Sequence, residues 1–365
     1  MPSWTLAEIS VDADPATIAG AVAAVERMSV AHEISVRGYD DLADTAEEMT
    51  AWLHNQAYST RTLVLALPAP DAPLSDAVGH LQLLLPRQDN THVAYVTPTV
   101  DPAHTGRGVG TALLAEAERR ARAEGRTSLL AWTMQAGEPA EGEPSLAAPT
   151  GSGAVNPQDP SVRFALAHGY RLEQAERHSL LRLPVAPDLV SSHHDDAAAH
   201  AGPEYRLHTW HGTPPAERHE ALGVLYTRMS TDAPMADLDL QEQSWDADRV
   251  RYSFEQAAAA GNEMVTVAAE HLPTGSLAAF TQVECVSKTP SLGFQGDTLV
   301  LREHRGRRLG MLIKTAMLAH LAHERPALRR IHTWNASENS HMLDINVALG
   351  FAPESVTGSW QRRLA

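Results

Sequence analysis

Apolar positions along this chain recur in two runs of the same kind. In residues 16–27, 40–56, 217–230 and 246–260 they return every three or four residues, which predicts amphipathic helices. Residues 62–67, 77–86 and 92–100 are apolar or alternating, as are 264–270, 276–286 and 293–301, and both sets predict strands. Helical spacing resumes at 111–123 and 311–323, followed by apolar strands at 128–134 and 330–334. Each half thus reads as strand, helices, three strands, helix, strand, helix, strand.

The halves also share sequence. Val100 to Gly110 reads Val-Asp-Pro-Ala-His-Thr-Gly-Arg-Gly-Val-Gly, and Val300 to Gly310, 200 residues on, reads Val-Leu-Arg-Glu-His-Arg-Gly-Arg-Arg-Leu-Gly. Both halves close on a helix end, a glycine and an aromatic residue: Ala167-His168-Gly169-Tyr170 and Ala348-Leu349-Gly350-Phe351. Those closing motifs are only 181 apart, so the first half carries an insertion. It falls in 135–157, whose Gly, Pro, Ala, Ser and Glu content predicts a mobile loop. Residues 187–203, polar and of low complexity, are expected to be a linker between domains at 1–186 and 204–365.

A length of 365 residues suits two domains. The formal charge of −16 argues against nucleic acid or an anionic membrane surface as partner, so small arginine clusters become informative. No apolar run is long enough to span a membrane, and the first residues lack the pattern of a secretory signal. Cys285 is the only cysteine; it lies in an apolar stretch and reads as a buried thiol in a reducing, cytoplasmic protein. The histidines between His193 and His219 match no zinc spacing, so no metal is expected.

A strand, a glycine-rich turn and a helix N-terminus form an anion site, because free backbone N–H groups and the helix dipole face the ligand. A dinucleotide fingerprint would open a domain, whereas three strands precede each loop here. With these surroundings the loops resemble the acyl-CoA pyrophosphate loop of the GNAT superfamily, Arg/Gln-x-x-Gly-x-Gly/Ala. The closing Leu349-Gly350-Phe351 is similar to that family's final motif. The tandem arrangement resembles the actinobacterial type exemplified by mycothiol synthase.

That resemblance implies two tandem GNAT-like α/β domains, each a mixed, mostly antiparallel sheet flanked by helices. It implies an acetyl-CoA-dependent N-acetyltransferase that transfers the acetyl group directly to the amine of a small molecule, as a monomer or homodimer. The alternatives are a non-catalytic acetyl-CoA sensor and an enzyme acting on a protein amine. Cofactor contacts are expected from Val100, Thr105, Gly106, Arg107, Gly108, Val109, Gly110 and Thr111 in the first copy. In the second they are expected from Val300, Arg305, Gly306, Arg307, Arg308, Leu309, Gly310 and Asn339, with Arg302 and Lys314 adding charge. Thr105 replaces the usual Arg or Gln, and Arg308 replaces the first glycine. A backbone N–H near Val100 or Val300 would polarise the thioester carbonyl. The family's acid, a tyrosine in the last helix, is replaced by Ala165 and by Asn346. The second copy keeps more polar equipment and is expected to be catalytic, with Asp297 and Glu284 as candidate bases and Asn335 and Asn346 nearby. Asp232 and Asp237 are candidates to meet a cationic amine.

Overall fold

A computed structural model describes residues 4–364. The first half runs β1 (Thr5–Ile9), α1 (Pro15–Arg37), α2 (Ala46–His54), β2 (Ser59–Leu67), β3 (Gly79–Pro86), β4 (Val93–Val100), α3 (Val109–Ala123), β5 (Ser128–Gln135), β6 (Leu146–Ala147), β7 (Ala154–Val155), α4 (Pro160–Ala167) and β8 (Arg171–Arg182). The second runs α5 (Pro187–Ala201), β9 (Tyr205–His211), α6 (His219–Asp232), α7 (Ala247–Ala259), β10 (Asn262–His271), β11 (Ser276–Val286), β12 (Leu292–Val300), α8 (Leu309–Glu324), β13 (Arg330–Ala336), α9 (Ser340–Ala348) and β14 (Ala352–Arg363). Local chemistry sets many of the boundaries. Asp14 accepts from the Ala16 and Thr17 N–H groups to open α1, and Gly38 closes it in the left-handed region. Thr45 and Glu48 form a capping box on α2.

The chain folds as two compact units that do not follow the halves of the sequence. The first comprises the residues up to 175, then 236–240, then 355 onward; the second comprises 176–235 and 241–354. Strand order in the first is β1-β2-β3-β4-β5-β14, and in the second β8-β13-β12-β11-β10-β9. Each unit is therefore completed by the closing strand of the other half. Trp360 of β14 is fully buried in the first unit's core, and its Nε1 donates to Thr133 Oγ1 at 2.7 Å. Leu181 of β8 is buried in the second core with Phe351.

Two expectations change. Pro187–Ala201, most of the expected linker at 187–203, form helix α5. Pro187 starts it, and Val190, Ala197 and Ala201, at helical spacing, bury one face in the second core. The insertion at 135–157 contains the β6–β7 pairing and places Ala148 and Val155 in the first core, so it is anchored rather than loose.

In each unit the sheet is antiparallel except at one place. β4 pairs β5 in parallel through Val93–Tyr95 only, and β12 pairs β13 in parallel through Leu292–Phe294 only. Beyond those three residues the strands part, which opens a cleft bounded by the loop that leads into α3 or α8.

Candidate functional site

The first loop is built as its glycines require. Gly106 and Gly108 lie at φ 72° and 83°, where a side chain is strained, and Gly108 is the residue before α3. A Cβ on Gly110 would stand 3.2 Å from the Phe164 ring, so this helix turn and α4 approach closely because the residue is glycine. Thr105 donates its hydroxyl to the Pro102 carbonyl at 3.1 Å. The Trp4 indole N–H donates to the Arg107 carbonyl at 3.2 Å, while the Arg107 side chain is exposed. Val100 packs on Gly110, and the Thr111 hydroxyl lies 3.2 Å from His168 Nε2.

The second loop reaches a similar backbone with a different residue. Gly306 lies at φ 78°, and Arg308 occupies the left-handed region at φ 56°, a conformation that costs a side-chain-bearing residue about 1–2 kcal/mol. Its basic cluster is partly neutralised. Arg305 reaches Asp232 at 2.8 Å and the Val300 carbonyl at 3.2 Å, and Arg302 reaches the same aspartate at 2.9 Å. Arg308 pairs with Asp196 of α5, and His200 lies 2.9 Å from the Gly306 carbonyl. Arg307 alone of Arg305, Arg307 and Arg308 has no ion pair among the described residues. Leu309 is buried at the start of α8, and Gly310 packs against Val300 and Ile345. Asp232 thus serves the loop arginines instead of lying free for a substrate cation. Asp237 belongs to the first unit, where its carbonyl accepts from Gln361 at 3.3 Å.

The units differ most where the parallel strands part. β3 and β4 keep one register from Gly79↔Val100 to Leu84↔Tyr95. β11 and β12 do not: Thr281 faces Thr298 but Val283 faces Gln295, so Gly296 and Asp297 together oppose Gln282. Such a bulge leaves a residue out of the ladder and re-aims its side chain. Asp297 sits half-buried at this bulge, and desolvation raises its carboxyl to about 6. Tyr226 of α6 lies near it and donates to Gln282 Oε1 at 2.8 Å, while Gln282 Nε2 donates to Thr266 at 3.0 Å. Burial, then the hydrogen bond to Gln282 in the opposite sense, then the Asp297 charge govern Tyr226, whose hydroxyl is pushed well above its ordinary value. On the other side of the strand, Gln295 Nε2 donates to Thr281 Oγ1 at 3.0 Å and its Oε1 accepts from Lys314 at 3.1 Å.

The remaining candidates separate. Glu284 accepts from Asn262 at 2.7 Å and faces Phe294, about 10 Å along the strands from Asp297, so the two carboxylates do not share a centre. Asn346 Nδ2 donates to Asn335 Oδ1 at 2.7 Å, which brings these two together. The Asn346 Oδ1 is buried without a partner. Asn339 caps α9 by accepting from the Met342 N–H, a role that occupies its side chain. Cys285 is buried, and desolvation followed by the Glu284 charge raises its thiol to about 11, so it is no nucleophile. Lys314 is 2% exposed and lies beneath the loop, away from the solvent-facing arginines with which its spacing groups it.

Sequence reasoning missed Tyr226, Gln282 and Gln295, whose common feature is position around the bulge. It also missed a polar cluster in the first unit. There Glu33 pairs with Arg37, Gln82 Nε2 donates to Asp44 at 2.8 Å, and burial lifts the Asp44 carboxyl to about 6. His80, two residues from Gln82 on the same strand face, is 1% exposed with neither ring nitrogen bonded. Among the described residues no group of three or more His, Cys, Asp or Glu side chains could hold a metal ion.

Comparison with known proteins agrees with this geometry. Residues 20–142 match the family described as Acetyltransferase (GNAT) family. A solved tandem GNAT protein from the clavulanic acid biosynthesis pathway is 26% identical, with a TM-score of 0.71 over 99% of this chain and 98% of that one. A GCN5-related N-acetyltransferase from Sphaerobacter thermophilus is 14% identical, with a TM-score of 0.60 over 98% and 95% of the two chains. No curated protein matches the chain by sequence. No described helix is long and apolar enough to cross a membrane.

Proposed function

From a GNAT-family domain in its first half and a tandem GNAT fold over nearly its whole length, a fold that supports acyl transfer from a CoA thioester, we propose that the chain is an acetyl-CoA-dependent N-acetyltransferase. It acts on the amine of a small molecule in a reducing cytoplasm, and the second unit performs the transfer. One observation carries this reading: the bulge at Gly296–Asp297, at the mouth of the β12–β13 cleft, has no counterpart in the first unit.

The residues at the cleft suit an acyl-CoA. Loop N–H groups at the start of α3 and α8 suit its phosphates, with Arg107 and Arg307 as unpaired charges. The carboxyl of Asp297, at about 6, is ionised at neutral pH yet basic enough to take a proton from an acceptor ammonium. An N–H left out of the ladder by the bulge would donate to the oxyanion that develops on the carbonyl. This replaces Val300 as the expected donor. Asn346 stands where the family has an acid, and a thiol of pKa near 8.5 leaves without one.

Calorimetry with acetyl-CoA on the wild type, Gly108→Trp and Gly310→Trp tests which loops are filled; a wild type that binds none refutes the proposal. Thiol release with a panel of amines and amino sugars, on wild type and Asp297→Asn, tests the chemistry. The absent tyrosine favours one rival, a sensor, which would bind tightly and release no thiol with any acceptor.

A further inference from the structure

The chain contains two lysines, Lys288 and Lys314, among 29 basic residues. Lys288 is in an exposed turn, whereas Lys314 is buried on α8. One turn separates Lys314 from Gly310, so both lie on one helix face, and Gly310 packs on Val300 of β12 and Ile345 of α9. The amine donates to Gln295 Oε1 at 3.1 Å and stands 5.4 Å from the centre of the Phe351 ring. Gln295 is the first residue of β12 beyond its last pair with β13, so the amine is hydrogen-bonded to the side chain of the residue at which the two strands separate. No carboxylate pairs with it among the described residues, and burial alone lowers it to about 7. A lysine without a counter-ion in such a place has a substantial neutral, nucleophilic fraction near neutral pH. The fold itself does not need it, because Leu114 takes the equivalent place on α3, inside an apolar core.

We infer that Lys314 is an internal acyl acceptor, which takes one acyl group from a thioester held in the second unit's cleft. This rests on the function proposed above. Nζ attacks the thioester carbonyl carbon; the C–N bond forms and the C–S bond breaks. The thiolate leaves with the electron pair and collects the proton that the nitrogen sheds, giving an acyl-lysine and a free thiol. The amide is stable, so the transfer happens once per chain. It fills the cleft apex and slows transfer to free amines.

Incubation of the full chain with acetyl-CoA and no added amine, followed by intact-mass and peptide analysis, tests this. The expected result is one acetyl group, on the Lys314 peptide, with one equivalent of thiol released and Lys288 left unmodified. Lys314→Leu, which copies the first unit, should remain unmodified and still bind acetyl-CoA in calorimetry. Equal modification of Lys288 and Lys314 would mark untargeted chemistry and overturn the inference. So would an unmodified Lys314 in a chain whose acetyl-CoA binding is lost in Gly310→Trp, an outcome that leaves the proposed function standing. A wild type that binds no acetyl-CoA removes both.

Discussion

The two units share a strand order and a cleft yet have diverged at opposite ends of it. The first has the better loop: Gly106 and Gly108 take the left-handed conformation freely. Its β3–β4 ladder is regular, and Thr97 stands where the second unit has Asp297. The second unit holds Arg308 in a strained conformation and neutralises Arg305 and Arg308 with Asp232 and Asp196. It has instead the bulge, with a desolvated carboxyl upon it, and a buried amine beside the same strand. On the function proposed above, anion binding and chemistry would respond to separate parts of one fold, and a duplicated chain is free to improve one in each copy.

The comparison breaks first at Asp297. Asp297→Asn should lower steady-state transfer by about 10²–10⁴-fold with acetyl-CoA binding intact. A loss under tenfold would remove the second unit's claim to the chemistry.

Lys314 provides the next test. Its folded value of about 7 lies below the ordinary 10.5, so between these pH values the unfolded chain holds the extra proton and stability rises with pH. Lys314→Leu should flatten that rise and raise stability at pH 7 by on the order of 4 kcal/mol, read by urea unfolding.

His80 is the first unit's counterpart of Phe280, and both are buried. Burial, then the His32 charge, depress His80 from 6.5 to about 3. The unfolded chain binds more protons in that window, so stability falls as pH drops through it. His80→Phe should reduce that acid loss and add about 1–3 kcal/mol by removing two unbonded buried nitrogens. An unchanged acid limb would place a partner on the ring.

The smallest effect is at the loop. Arg308→Gly should relieve about 1 kcal/mol of backbone strain and bring the second loop toward the first. An unchanged unfolding midpoint would show that the Asp196 pair offsets the strain.

Much was legible beforehand because it is local. Apolar spacing revealed most of the helices and strands, and the repeated glycine loops revealed the duplication. Misreadings had a common cause. Residues 187–203 are polar on average, and only the placement of Val190, Ala197 and Ala201 on one face makes them a core helix. Asp232 resembled a substrate carboxylate until Arg302 and Arg305 came to it from 70 and 73 residues away.

By itself the sequence determined two copies, most of their element order and the glycine loops that open α3 and α8, since each follows from periodicity or from backbone freedom within a few residues. Only the tertiary structure decided the exchange of closing strands, the bulge at Asp297 and the burial of Lys314. Register, desolvation and charge pairing depend on residues far apart in the chain, and no local pattern encodes which of them will meet.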